Sequence, residues 1–418
     1  MKKTPCYPIK KWLQTGLVVL PGFFAMLPST ARAIGFLLPN QDPKAIGRGN
    51  AFAATADNPS AIYYNPAGIT QISGLEVEVG DVNYIGINAT YSPPGGGDVH
   101  SKFEFTPVPE VYAVYSPTNL PLSFGLGVYA PFGLGVEWPG NSSLRQLAIE
   151  SRMQFITVNP VVAYKIIPSL SIAAGPAVNY SELKIRRGLF SSADQFTFKG
   201  NDFSCGFTAG ILWHPVQEWS FGLDYRSASS MYYGGQSTYE PGNGSTFSTP
   251  TTTRVPFPQT AALGVSYRPT DQWNVEANVE WINTHKIETL TLGGTANLFG
   301  PDLQFNLHWH DTWIYKLGVT RYFEDGWYVS AGYFYTSSTT SSDYFTPAVP
   351  DTELHTGSVG FGRDGEHWHW AVAGQIIAGP QRSVATTAND VNPVTQASPA
   401  GKYALFIPTL SVSVSYRF

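Results

Sequence analysis

The chain has 418 residues, of which 14% are aromatic and only 13% charged, against about a quarter charged in soluble domains. A formal charge of -5, with no basic stretch beyond the first residues, excludes an electrostatic nucleic-acid partner. No later apolar run is long enough for a membrane helix, so an aromatic-rich, charge-poor chain of this size fits a membrane β-barrel.

Residues 1-33 read as a signal peptide. Lys2, Lys3, Lys10 and Lys11 precede an apolar core from Leu17 to Leu27, and Ala31-Arg32-Ala33 offers small residues where a signal peptidase cuts. A membrane anchor is the alternative, opposed by the short core and by Pro21 and Pro28. Cleavage would leave Ile34 first and twenty basic residues against thirty acidic ones, a formal charge of -10. Cys6 leaves with the leader, so Cys205 has no partner for an intramolecular disulfide.

Residues 34-73 read as a compact hatch that has to pack inside something larger. Ala51, Ala53, Ala54 and Ala56 favour a short helix. Asn58-Pro59 fits the start of a second helix, and Asn65-Pro66-Ala67-Gly68 a turn that ends it. A piece of about 25 residues cannot bury its own apolar face.

From residue 74 to 418 the pattern is strands. Short turns stand at Pro117–Pro121, Pro168-Ser169, Pro215–Glu218, Pro269–Asp271, Glu324–Gly326 and Arg363–Gly365. Longer segments rich in Gly, Ser, Thr and Pro lie near 92–101, 133–151, 187–195, 240–252, 292–303, 340–351 and 380–401. The runs between them predict about fourteen antiparallel strands, with short periplasmic turns and long outside loops. Along one strand Trp273, Val275, Ala277, Val279 and Trp281 alternate with Asn274, Glu276, Asn278 and Glu280, which is period two with one apolar face. Trp219, Trp273, Trp327 and Trp368 each follow a short turn, the first three at intervals of 54 residues, and predict an interfacial girdle. The chain closes on Phe418, the aromatic end of an alternating strand and the feature that the barrel-assembly machinery would read.

The residues Gly35-Phe36, Gly47-Arg48, Asn65-Pro66-Ala67, Pro258-Gln259, Leu263-Gly264, His310-Asp311, Leu317-Gly318, Asp325, Trp327, Pro350-Asp351 and Gly401 to Phe418 give the chain a resemblance to a known family. Their order and spacing resemble the long-chain fatty-acid transporters of the outer membrane, the FadL/TodX or OMPP1 type, over essentially the whole mature chain. The resemblance implies a fourteen-stranded monomeric barrel in the bacterial outer membrane, with an N-terminal hatch in its lumen around Gly47, Arg48, Asn65, Pro66 and Ala67. It implies passive uptake of hydrophobic molecules, long-chain fatty acids first. Monoaromatic hydrocarbons by the same route, or a structural or adhesive barrel without transport, are the alternatives.

Pro131-Phe132-Gly133 interrupts the third strand about 23 Å above its turn. Proline supplies no ladder donor, so the interruption is either the strand's end or a kink that opens the wall sideways; the family's break in this strand resembles the second. Pro107 and Pro109 lie on the neighbouring strand. The loop from Gly133 to Arg152 carries Leu134, Trp138 and Leu147, a surface that collects greasy ligand from lipid or lipopolysaccharide or else packs on its own barrel. Arg186-Arg187 stand at the top of the fifth strand, and Arg187 falls where the family's strand carries an arginine; it either pairs a ligand carboxylate or is a solvated loop charge. His308-Trp309-His310 and His367-Trp368-His369 place imidazole pairs at opposite ends of the barrel, where they cannot share an ion. No serine is tied to His310-Asp311 by motif, so no catalytic residue, metal or cofactor is assigned.

Overall fold

The computed structural model describes residues 37–85, 88–386, 391–392 and 395–418, and for Leu134 the backbone only. The leader, Ile34 and Gly35-Phe36 lie outside the described residues. Fourteen antiparallel strands close on themselves. They are β1 (Gly74–Ile85), β2 (Phe105–Ser116), β3 (Leu122–Tyr129 and Gly133–Glu137), β4 (Glu150–Ile167), β5 (Leu170–Arg187), β6 (Gln195–Val216) and β7 (Trp219–Arg226 and Ser229–Glu240). The circuit continues with β8 (Phe247–Phe257 and Thr260–Thr270), β9 (Trp273–Ile282), β10 (Thr312–Tyr322), β11 (Trp327–Thr336), β12 (Leu354–Asp364), β13 (Trp368–Ala378) and β14 (Gly401–Arg417). Closure is the antiparallel pairing of β1 with β14, from Glu76↔Arg417 to Tyr84↔Thr409. It joins the two ends of the sheet, as backbone in a bilayer requires.

The alternation read from the sequence sets the faces. On β14, Ser411, Ser413 and Ser415 are buried towards the lumen while Leu410, Val412 and Val414 are exposed to the lipid side. All six predicted short turns join consecutive strands at one rim. Trp219, Trp273, Trp327 and Trp368 are the first residues of β7, β9, β11 and β13, so they stand at that same rim. At the closing seam, Phe418 donates its N–H to the Leu75 carbonyl (2.9 Å) and sets its exposed ring edge-on against Tyr416. Deleting Phe418 is expected to lower the amount of heat-modifiable, folded barrel in the outer membrane. Unchanged amounts would show that assembly does not read this residue.

The hatch departs from the helices expected of it. Its first helix, α1 (Pro43–Gly47), lies upstream of the alanines and is capped by Asp42, whose Oδ1 accepts from Ala45 N–H (3.0 Å). Residues 53–55 form a turn in an otherwise irregular stretch, and Ala56 sits at φ 36°. Helix α2 (Ala61–Tyr64) begins after Ser60, two residues beyond Asn58. Asn65-Pro66 does not close that helix in a plain turn; it opens a 3-10 helix, Pro66–Gln71, with Asn65 at its N-cap. The hatch is buried in the lumen, where Phe52 and Ile62 are 0% exposed, each contributing about 2 kcal/mol of transfer free energy.

Candidate transport path

The strand break is present, and one seam of the wall is missing its ladder. β1 pairs β2 along its whole length, from Gly74↔Ser116 to Ile85↔Phe105. On the other side of β2 the ladder with β3 runs only from Tyr115↔Phe124 to Val111↔Val128. The upper piece of β3 pairs with β4 alone, from Gly133↔Gln154 to Glu137↔Glu150. Contact across the seam returns where Lys102 N–H donates to the Glu137 carbonyl (2.8 Å), beside a Lys102–Glu137 ion pair (2.6 Å). Between those limits the wall has a gap. Pro107 and Pro109 explain part of it. An unbroken ladder with β1 uses the alternate residues, so the two donors these prolines lack fall on the side facing β3.

The first described residues of the chain stop this gap from within. Leu37 forms an antiparallel bridge with Phe132, and Leu38 N–H donates to the Pro131 carbonyl (2.9 Å). Gln41 Nε2 donates to the carbonyls of Ala130 (2.8 Å) and Leu38 (2.9 Å). Main-chain groups that Pro131 turns out of the sheet are thus met by the hatch, as a water-poor setting requires.

Among the described residues, cavities lie under the loops, beside Leu37 and beneath the hatch. An outer chamber of about 420 Å³ lies under the loops, lined among others by Leu147, Leu183, Leu290, Phe305 and Trp309. A central chamber of about 70 Å³ shares Trp309 and Val349 with it, and these two side chains form the partition. A lateral chamber of about 40 Å³ shares Leu37, Phe132 and Pro258 with the central one and reaches Tyr129 and Pro131. Beneath the hatch a polar vestibule of about 280 Å³ is lined by Lys44, Asp57, Glu76, Glu78, Asp364, His369 and Arg417. Burial alone would lower the Lys44 ammonium, but the carboxylates of Asp364 (2.9 Å) and Asp57 (3.2 Å) more than offset it and hold Lys44 charged.

The wall grips the hatch mainly through one carboxylate. Glu276 on β9, 0% exposed, accepts from Ala54 N–H (2.8 Å), Thr55 N–H (3.0 Å) and Thr55 Oγ1 (2.5 Å) and pairs with Arg48 at 3.4 Å. Arg48 also donates to Asn274 Oδ1 (2.7 Å). Asn278, with its carboxamide oriented so that the oxygen faces the hatch, accepts from the N–H groups of Phe52 and Ala53 (3.0 Å each). Inward-facing glycines let the two backbones touch: a Cβ at Gly222, Gly318 or Gly332 would overlap hatch main chain at Ala53, Arg48 and Gly49.

Asn65 ties hatch to wall. Its Nδ2 donates to Ala53 O (2.7 Å) and to Ile211 O of β6 (3.0 Å), and its Oδ1 accepts from Ala67 N–H (3.2 Å). Asn65→Ala is expected to loosen the hatch by about 1–3 kcal/mol and lower uptake with the barrel still folded. Loss of heat-modifiable barrel would make Asn65 a folding residue instead.

The remaining expected residues fall in different places. Leu147 lines the outer chamber. Trp138 does not face it: the indole is 0% exposed, packed in the loop core, and donates Nε1–H to Pro347 O (2.9 Å). Leu134 pairs with Met153 in the ladder. Arg187 gives Nε and Nη2 to the Gln146 carbonyl and lies over the Phe305 ring, so it fastens the outer loop. His308 sits at φ 40° against Tyr344, outside any strand, so His308 and His310 share no strand face. Leu37, Leu38, Gln41, Glu276 and Trp309 had no motif to announce them.

A closed outer-membrane barrel, stoppered by an internal hatch and threaded by apolar chambers, defines a transport barrel for hydrophobic solutes. The chain belongs to the outer membrane protein transport protein family (OMPP1/FadL/TodX), whose profile matches residues 24–398. It is 23% identical over 380 residues to the long-chain fatty acid transport protein of Escherichia coli O6:H1, covering 79% of this chain and 83% of that one. It is 24% identical over 384 residues to the 47 kDa outer membrane protein of Pasteurella multocida, covering 84% and 87%. Among solved structures it resembles a Pseudomonas aeruginosa FadL homologue (TM-score 0.80, 18% identity, 92% of this chain and 100% of that one). It also resembles the P. putida toluene transporter TodX (TM-score 0.73, 15% identity, 91% and 99%).

Proposed function

We propose that this protein is a passive conduit that takes hydrophobic molecules of the fatty-acid or aromatic-hydrocarbon kind from outside and releases them sideways into the outer membrane. The ligand enters the outer chamber, passes Trp309 and Val349, displaces the Leu37–Pro39 segment and leaves between β2 and β3. The observation that carries this reading is the ladder that stops at Val111↔Val128 while both flanking seams continue. The central chamber is too small for such a ligand as it stands, so something must move. Leu37 and Leu38 belong to no strand of the barrel, which makes them the wall that can yield.

The vestibule argues against release straight downward. A hydrocarbon moving past the hatch would meet the ion pairs of Lys44 with Asp57 and Asp364 and of Arg417 with Glu76, and displacing their solvation is unfavourable. Beside the gap, in contrast, Phe103 and Phe105 at the upper end of β2 are 67% and 55% exposed and give it an apolar border. Cells lacking other hydrophobic-compound transporters are the test. Expression of this chain is expected to give saturable uptake of labelled oleate or toluene above the empty-vector rate. Rates equal to those of the empty vector for both ligands would leave a barrel without transport.

A further inference from the structure

Among the described residues the central chamber presents no cation to an anionic ligand. Asp351 is the one ionisable carboxylate in its lining, and its Oδ2 is fully engaged. It accepts from Ser338 Oγ (2.7 Å) and from the N–H groups of Thr339 and Thr340 (2.8 and 2.9 Å), and it faces Arg382 at 3.5 Å. Arg382 gives its other donors to Thr340 and to Ser338 and packs on the Phe345 ring. It does not line the chamber.

The other polar groups are neutral, and most are satisfied. Asn40 donates to Tyr84 Oη and Gln375 Oε1 and accepts from Asn50 Nδ2. Thr312 bonds Thr284 and Thr339. Thr356 stands apart: it is 0% exposed on β12, lines the chamber, and its hydroxyl meets no protein partner. The neighbouring chambers differ. The outer one is lined by Arg186, Arg254 and Lys286 with Glu288. In the lateral one Arg226 is 3.1 Å from Asp224, bonded to the Tyr63 carbonyl and stacked on the Tyr63 ring.

A carboxylate moved from the outer chamber into the central one would leave compensating cations for a setting without a free one. Burying an unpaired charge is far costlier than burying a hydroxyl with a hydrogen-bond partner. On the transport reading above, we propose that the central chamber selects uncharged hydrophobic molecules carrying one hydrogen-bonding oxygen, which Thr356 meets, and turns away the carboxylate form of a fatty acid.

The test compares dodecane, dodecanol and dodecanoate, alike in chain and different in head group, as labelled probes in cells with and without the full chain. At about pH 8 dodecanol is expected to enter at least about tenfold faster than dodecanoate. The difference should shrink as the pH falls to about 5, where the acid takes up its proton. Thr356→Val, which keeps the shape and removes the hydroxyl, should slow dodecanol about fivefold and leave dodecane unchanged. Equal entry of dodecanol and dodecanoate at the higher pH, or a Thr356→Val barrel that handles dodecanol like the parent, would overturn the selection while transport stands. Entry of none of the three above the empty cells would overturn the transport reading and this inference with it.

Discussion

Glu276→Ala is expected to release the hatch while the barrel stays closed. The substitution removes the acceptor of two hatch N–H groups and of the Thr55 hydroxyl, and the counter-charge of Arg48, which is 1% exposed. Taking one partner from a buried pair costs about 3–5 kcal/mol. The cost falls on the hatch, because the side chain at 276 makes no part of the β9 ladder with β8 and β10. Amide exchange over residues 40–72 should therefore rise by about two orders of magnitude, with heat-modifiable barrel retained. Uptake should fall, since the Leu37–Asn40 wall of the central chamber hangs from the same hatch, and small polar solutes should leak through the vestibule. Unchanged exchange in the hatch would show that the apolar contacts of Phe52 and Ile62 hold it without the carboxylate.

That same carboxylate explains where the sequence misled. Ala51 to Ala56 has helical composition, and an isolated segment would satisfy its N–H groups with its own carbonyls. Inside the barrel, Glu276 and Asn278 take the N–H groups of residues 52–55, so the backbone needs no helix. Nothing local to the hatch announces acceptors more than 200 residues away. The wall itself was legible, because alternation and short turns are local. Trp273 to Trp281 could be assigned faces from period two alone, and the structure keeps that assignment. Gly222, Gly318 and Gly332 sit on lumen-facing positions, where the missing side chain admits the hatch backbone. Pro131 pointed to the break, but Leu38, which meets its carbonyl, and Leu37, which bridges Phe132, lie more than 90 residues upstream in a stretch without a motif. Trp138 was read as a ligand surface because it is apolar and on a loop. It is buried by its own loop, which composition cannot distinguish.

Sideways release is the central claim, and closing the gap tests it most directly. Continued in the register of Val111↔Val128, residue 131 would face Val108 and residue 133 would face Thr106. Pro131→Val together with Gly133→Val restores a donor at the first position and adds β-branched side chains that favour straight, paired strand. A straightened β3 lying against β2 narrows the passage for a hydrocarbon, while Leu147 and the rest of the outer chamber are untouched. The measurement is uptake of labelled oleate, and separately of toluene, in cells carrying the parent or the double variant at matched amounts of folded barrel. The account predicts that uptake of each ligand the parent carries falls at least about tenfold while binding to the outer chamber survives, the loss corresponding to about 1.4 kcal/mol or more on the exit step. Equal uptake by the two proteins would contradict it, and the ligand would then have to leave past the hatch, through the charged vestibule into the periplasm.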